Sequence, residues 1–127
     1  MNEGNFIRIL YSTKHFTLNG IYLLLQLTDT TIDKHYNKYK CTFAVDAHTY
    51  MISKIQEIEE TLLQKINIED KIPQNKITEQ LLLGNIKIFS ETLPKSSGEF
   101  ILKISGVWET KLHYGLTFKF VKIDSIM

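Results

Sequence analysis

Residues 38–66 read KYKCTFAVDAHTYMISKIQEIEETLLQKI, and the spacing of apolar residues changes partway through them. Tyr39, Cys41, Phe43 and Val45 alternate with Lys38, Lys40, Thr42 and Ala44, the period of a strand with one face in a core. After Asp46 the period lengthens to about 3.6. Met51, Ile55, Ile58, Leu62 and Ile66 then fall on one helical stripe. Ser53, Gln56, Glu57, Glu60 and Gln64 take the opposite face, with Lys54, Glu59 and Lys65 on the flanks. Asp46 or Thr49 is the expected cap, because either side-chain oxygen can accept from a first-turn N–H. The helix should fade by Asn67. The segment is thus a strand followed by an amphipathic helix.

On the N-terminal side, residues 6–18 give an apolar strand with both faces populated, continuing raggedly through Phe16 and Leu18. Asn19-Gly20 accepts positive φ and precedes Ile21-Tyr22-Leu23-Leu24-Leu25-Gln26-Leu27, so a hairpin of the first two strands is expected there. Polar residues 28–37 read as a loop. Beyond the helix, residues 67–75 read as a solvated connector containing Pro73, and 76–83 as a short helical turn. Gly84-Asn85 reopens a strand with Ile86 and Ile88, and 92–98 reads as a loop. The last quarter is a strand pair, with Phe100, Leu102 and Ile104 on one strand and Leu116, Phe118 and Phe120 on the other, joined by 109–113.

The resulting order is β-β-β-α-β-β-β in a single domain, 1–127, mainly β with one central helix. That order fits an OB-like Greek-key barrel, and equally an α+β antiparallel sheet with one packed helix. The composition agrees: 127 residues, 43% hydrophobic and 23% charged, suit one globular core without metal or disulfide staples. One cysteine excludes an internal disulfide framework and points to a reducing, intracellular setting, nucleus or cytoplasm. The opening Met-Asn-Glu-Gly-Asn lacks the basic and apolar regions of a secretory signal. No apolar run is long enough for a bilayer core of about 30 Å, so no membrane partner is expected.

Charge narrows the function classes. The formal total is +1, which argues against a polybasic nucleic-acid wrapper, but it conceals an asymmetry. Residues 56–70 carry a net −4, leaving +5 on the rest of the chain. If the acidic helix face points away from the sheet, strands and loops can present the basic surface a phosphate backbone requires. Lys34, Tyr36, Lys38 and Lys40 interleave cations with a ring at the start of the third strand, whereas Tyr39 shares its face with Cys41 and Phe43 and belongs to the core. A second cluster holds Trp108, Lys111, Tyr114 and Lys119, with His113 among them; Phe118 and Phe120, opposite Lys119, read as core.

The run Phe100-Ile101-Leu102-Lys103-Ile104-Ser105-Gly106-Val107-Trp108-Glu109, followed by Tyr114-Gly115-Leu116-Thr117-Phe118-Lys119-Phe120, resembles the closing strands of small OB-type single-stranded-DNA-binding proteins of large DNA viruses. The resemblance implies a setting in DNA replication or repair. It fixes no individual contacts.

Catalysis is not expected. His15, His35, His48 and His113 lack metal-ligand spacing, and no cofactor or metal is implied. Cys41 sits mid-strand on an apolar face, where desolvation makes a thiol inert. Glu57, Glu59 and Glu60 read as solubilising, and the six glycines form no phosphate-binding loop. Two functions remain: sequence-tolerant binding of single-stranded nucleic acid, or an interaction module that forms a homo-oligomer or joins a protein partner. For the second, an exposed sheet edge such as 84–91 is the candidate surface.

Overall fold

Two long strands near the C-terminus organise the sheet. The computed structural model describes residues 5–8, 10–12, 17–36, 38–89 and 98–122. In chain order the strands are β1 (Asn5–Arg8), β2 (Leu10–Ser12), β3 (Thr17–Asn19), β4 (Ile21–Gln26), β5 (Thr31–His35) and β6 (Lys38–Thr42). A 3-10 turn, Val45–His48, then leads into α1 (Thr49–Ile66), β7 (Ile72–Gln74), α2 (Lys76–Leu82), β8 (Asn85–Phe89), β9 (Glu99–Glu109) and β10 (His113–Lys122). The loop expected at 92–98 lies, apart from Gly98, outside the described residues, as does Phe16.

β9 and β10 form the hairpin their alternation predicts, with one irregularity. Thr117 stands opposite Gly106 and Phe118 opposite Ile104, so Ser105 is an extra residue on β9. Phe100, Leu102 and Ile104 face the core before this bulge, and Val107 faces it afterwards. Each free edge of the hairpin carries two strands in tandem. On β9, β4 pairs antiparallel with residues 99–104 and β1 with 106–109. On β10, β7 pairs parallel with 113–115, and β8 pairs parallel at Phe120 opposite Ile88. β8, β6 and β5 continue antiparallel, giving one eight-stranded mixed sheet, while β2 and β3 form a separate pair. β5 pairs with neither β4 nor β1 among the described residues, so the ladder does not close.

Several expectations are corrected here. Asn19-Gly20 does not turn a hairpin: β3 pairs back onto β2 and β4 goes to β9. Gly20 uses its positive φ of 103° to pass the chain between sheets, so close to β9 that a Cβ would collide with the Ile104 carbonyl. Residues 28–37 hold a strand, β5, joined to β6 through Tyr36 at φ 60°. The connector 67–75 contains β7, while the short helical turn expected at 76–83 is present as α2. β8 is not an exposed edge; it lies between β6 and β10 with Ile86 and Ile88 fully buried. The sheet is mixed, not purely antiparallel, because β7, α2 and β8 return the chain in the direction of β10.

Both helices pack on the inward face, where Ile52, Ile55, Leu63, Ile77 and Leu81 share one cluster with Leu102, Leu116 and Phe120. Each fully buried side chain of this kind contributes about 1.5–3 kcal/mol. The buried line of α1 is Ile52, Ile55, Glu59 and Leu63, rotated from the expected stripe, of which Met51, Leu62 and Ile66 are only partly covered. Glu59 is therefore not a solubilising residue. Its carboxylate accepts from the Ile77 and Thr78 N–H groups, both at 2.9 Å, and from Thr78 Oγ1 at 2.7 Å. It thus caps the start of α2, where Asn75 makes no side-chain cap.

Neither Asp46 nor Thr49 caps α1; buried His48 fixes its start instead. The Thr28 N–H donates to His48 Nε2 at 2.9 Å, so that nitrogen is the acceptor and Nδ1 donates to the Ala44 carbonyl at 2.7 Å. At the other end Asn67 takes the left-handed conformation and donates to the Leu63 carbonyl, ending the helix where the sequence indicates. No described helix is long and apolar enough to cross a membrane.

Candidate nucleic-acid interface

Strand alternation sorts the side chains of the sheet into an inward set, covered by α1 and α2, and an outward set. The bulge at Ser105 decides the outcome for Trp108, which falls on the outward face opposite Gly115. The fit is close: a Cβ on residue 115 would lie 2.7–2.9 Å from the indole. Two positions further along β10 comes the Gly106–Thr117 row, and then the row Tyr22–Lys103–Lys119. Lys103 Nζ sits 5.6 Å from the centre of the Tyr22 ring, a cation–π distance. Trp108 and Lys119 thus share one face, with rows about 13 Å apart along the strand. Tyr22 and Lys103 join them there. Sequence reading missed both, because the row assembles only when β4 docks on β9.

The remaining expected residues divide. Tyr36 is 85% exposed at the tip of the β5–β6 hairpin. Lys38 and Lys40 lie on the outward face of β6, where Lys40 stands between Asp33 on β5 and Lys87 on β8. Lys34 is opposite Tyr39 and therefore projects from the other face, although it is exposed. Lys111 is exposed in the β9–β10 turn. Tyr114 does not belong to an interface. It is 3% exposed, on the inward face, with its hydroxyl donating to the Leu63 carbonyl at 3.0 Å. As expected, Tyr39 and Phe120 are core, and Phe118 is half-buried, its ring edge-on to Phe120.

Charge is distributed unevenly between the faces. Lys38, Lys40, Lys87, Lys103 and Lys119 occupy outward positions, against Asp33 and Glu99. Glu57 and Glu60 are exposed on α1, which packs on the inward side. Of the remaining cations, Lys71 is held by Glu109 at 2.9 Å. Lys122 lies fully buried over the Phe100 ring and donates to the Glu99 carbonyl at 3.3 Å.

A groove of about 570 Å³ opens beside Trp108, between it and the start of α2. Gln74, Lys76, His113, Thr117 and Phe118 contribute to its lining. It exists because β7 leaves β10 after Gly115 and β8 joins only at Phe120. Among the described residues no strand pairs with 116–119 on that edge, and α2 backs the gap from the core side. Thr117 Oγ1, closed to solvent, has no hydrogen-bond partner among the described residues.

Burial pushes the Cys41 thiol up from its ordinary value, outweighing a hydrogen bond with Thr30 and the charge of Lys122. Among the described residues, no three of His, Cys, Asp and Glu come together as metal ligands would. Comparison with protein-family models, curated proteins and solved structures finds no match to this chain.

Proposed function

We propose that the protein is a non-catalytic domain that binds single-stranded nucleic acid, DNA in the first instance, with little sequence preference. The strand lies along the outward face of β4, β9 and β10. Trp108 and Tyr22 supply stacking surfaces, and Lys103 and Lys119 meet phosphates. The observation that carries this reading is the placement of these four residues on one face of the sheet, with the acidic helix face elsewhere. Lys38, Lys40 and Lys87 extend the same cationic surface towards Tyr36. The OB-like barrel belongs to this proposal. Its support is the strand path β5–β6–β8–β10–β9–β4, whose two ends are linked by residues 27–30.

Fluorescence anisotropy with labelled oligo-dT and duplex DNA at two salt concentrations tests the reading. Single strands should bind preferentially, with a log–log salt slope of about −0.7 per neutralised phosphate. Trp108→Ala should weaken binding by about 1–3 kcal/mol without unfolding the domain. A flat titration at low salt removes the proposal.

An assembly role draws on a different observation. Ile72 and Leu112 are 59% and 61% exposed and adjacent, the Ile72 N–H donating to the Leu112 carbonyl. A stable dimer on light scattering, with no oligonucleotide shift, would favour that role.

A further inference from the structure

One row of outward side chains crosses the sheet from strand to strand. Lys40 on β6 stands opposite Lys87 on β8, and Lys119 on β10 opposite Lys103 on β9, with Tyr22 of β4 next in line. β8 meets β10 at Ile88 opposite Phe120, so the residues before them, Lys87 and Lys119, project side by side and join the two pairs. Three steps of about 4.8 Å place the four lysines within about 14 Å. None of the four forms a salt bridge among the described residues, and Asp33, opposite Lys40, ends the row. Like charges set opposite one another repel, so the row costs stability until an anion lies on it. We infer that this row is the track of a phosphodiester backbone, which crosses the strands from Lys40 to Lys103. The inference rests on the proposed strand binding and adds to it a direction of travel, with phosphates assigned to Lys40 and Lys87.

The charge pattern sets the direction. Followed along the strands, the outward face of β10 offers one cation, Lys119, and that of β9 offers Lys103 and an acid, Glu99. Only across the strands do cations follow one another. Over β4, β9 and β10 the neighbouring rows carry no charge, and they differ from each other. On one side Leu24, Ile101 and Val121 form an apolar row, with Leu24 59% exposed; on the other lie Thr117 and Gly106. A nucleotide strand has a matching cross-section, with phosphates along one side and flat, largely apolar bases along the other. Its bases can cover the Leu24 row and reach the Tyr22 ring while its phosphates follow the lysines. A polyanion without bases, such as inorganic polyphosphate, leaves the apolar row in water, and a duplex keeps its bases inside.

The experiment follows labelled oligo-dT by anisotropy through a salt series, for the unaltered protein, Lys40→Ala, Lys87→Ala and Lys65→Ala, the last removing an exposed cation of α1 that lies off the row. Lys40→Ala and Lys87→Ala should each flatten the log–log slope by about 0.7, and Lys65→Ala should leave it unchanged. Lys87→Glu adds a readout that needs no ligand. Placing an opposite charge between Lys40 and Lys119 should raise the thermal midpoint while weakening oligo-dT binding by about tenfold or more. Inorganic polyphosphate should displace oligo-dT only at about tenfold higher phosphate concentration, and equal potency would overturn the nucleotide occupant. A lowered midpoint in Lys87→Glu would mean that the four cations do not stand in one row. Binding whose salt slope ignores both Lys40→Ala and Lys87→Ala would overturn the track and leave strand binding standing. Absence of oligo-dT binding by the unaltered protein would overturn strand binding, and the track with it.

Discussion

The two free edges of the β9–β10 hairpin are built alike and finished differently. Each is lined by two short strands placed end to end. On β9, β4 and β1 leave only Ser105 between them, and Gly20 presses into that junction. On β10, β7 and β8 leave four residues, with α2 behind them and a groove in front. The sealed edge joins its two strands through the separate β2–β3 pair, which leaves the sheet and returns to it at Gly20, whereas the open edge inserts a helix between them. A helix cannot supply the missing ladder bonds, so inserting one creates a gap with polar groups to satisfy.

The largest effect should come from breaking the seal. Gly20→Ala adds a Cβ against the Ile104 carbonyl at a backbone conformation L residues resist, and should cost about 3 kcal/mol or more in urea unfolding. Next is the clamp that holds α2 behind the gap. Glu59→Gln keeps the shape but sets an amide against the N–H groups of Ile77 and Thr78. A loss of about 2 kcal/mol is expected by the same measurement, and Glu59→Ala should lose more. The comparison itself is read by hydrogen exchange. Amides of 116–119 that point away from β9 should exchange at least about tenfold faster than those of 101–104 that point towards β4. The smallest effects belong to the outward lysines. Lys103→Ala and Lys119→Ala should each flatten the salt slope by about 0.7, weaken all sequences equally, and leave thermal stability nearly unchanged.

Much of the local structure was legible. Tyr39, Cys41 and Phe43 face the core as their alternation requires, α1 stops at Asn67, and β9 and β10 pair. Neighbouring residues carried those signals. What stayed hidden depended on partners distant in sequence. Glu59 reads as surface because its ligands are backbone N–H groups of α2, which leave no mark on a sequence. A stripe drawn through Ile52, Ile55, Glu59 and Leu63 fits the helical period as well as the one through Met51, and the apolar ends of that line were the available clue. Gly20 was recognised as a place of positive φ, yet positive φ does not say which strand will lie beside it. Of the candidate interface, Trp108 and Lys119 could be named from sequence. Tyr22 and Lys103 could not, since their neighbourhood depends on β4 choosing β9.

The unmatched residue at Ser105 sets the phase of everything that follows it on β9. Were the same chain to pair straight through Ser105, strict alternation from Ile104 would turn Val107 towards solvent and drive the tryptophan inside. Deleting Ser105 would instead leave both on their present faces, with Gly106 following Ile104 in continuous register.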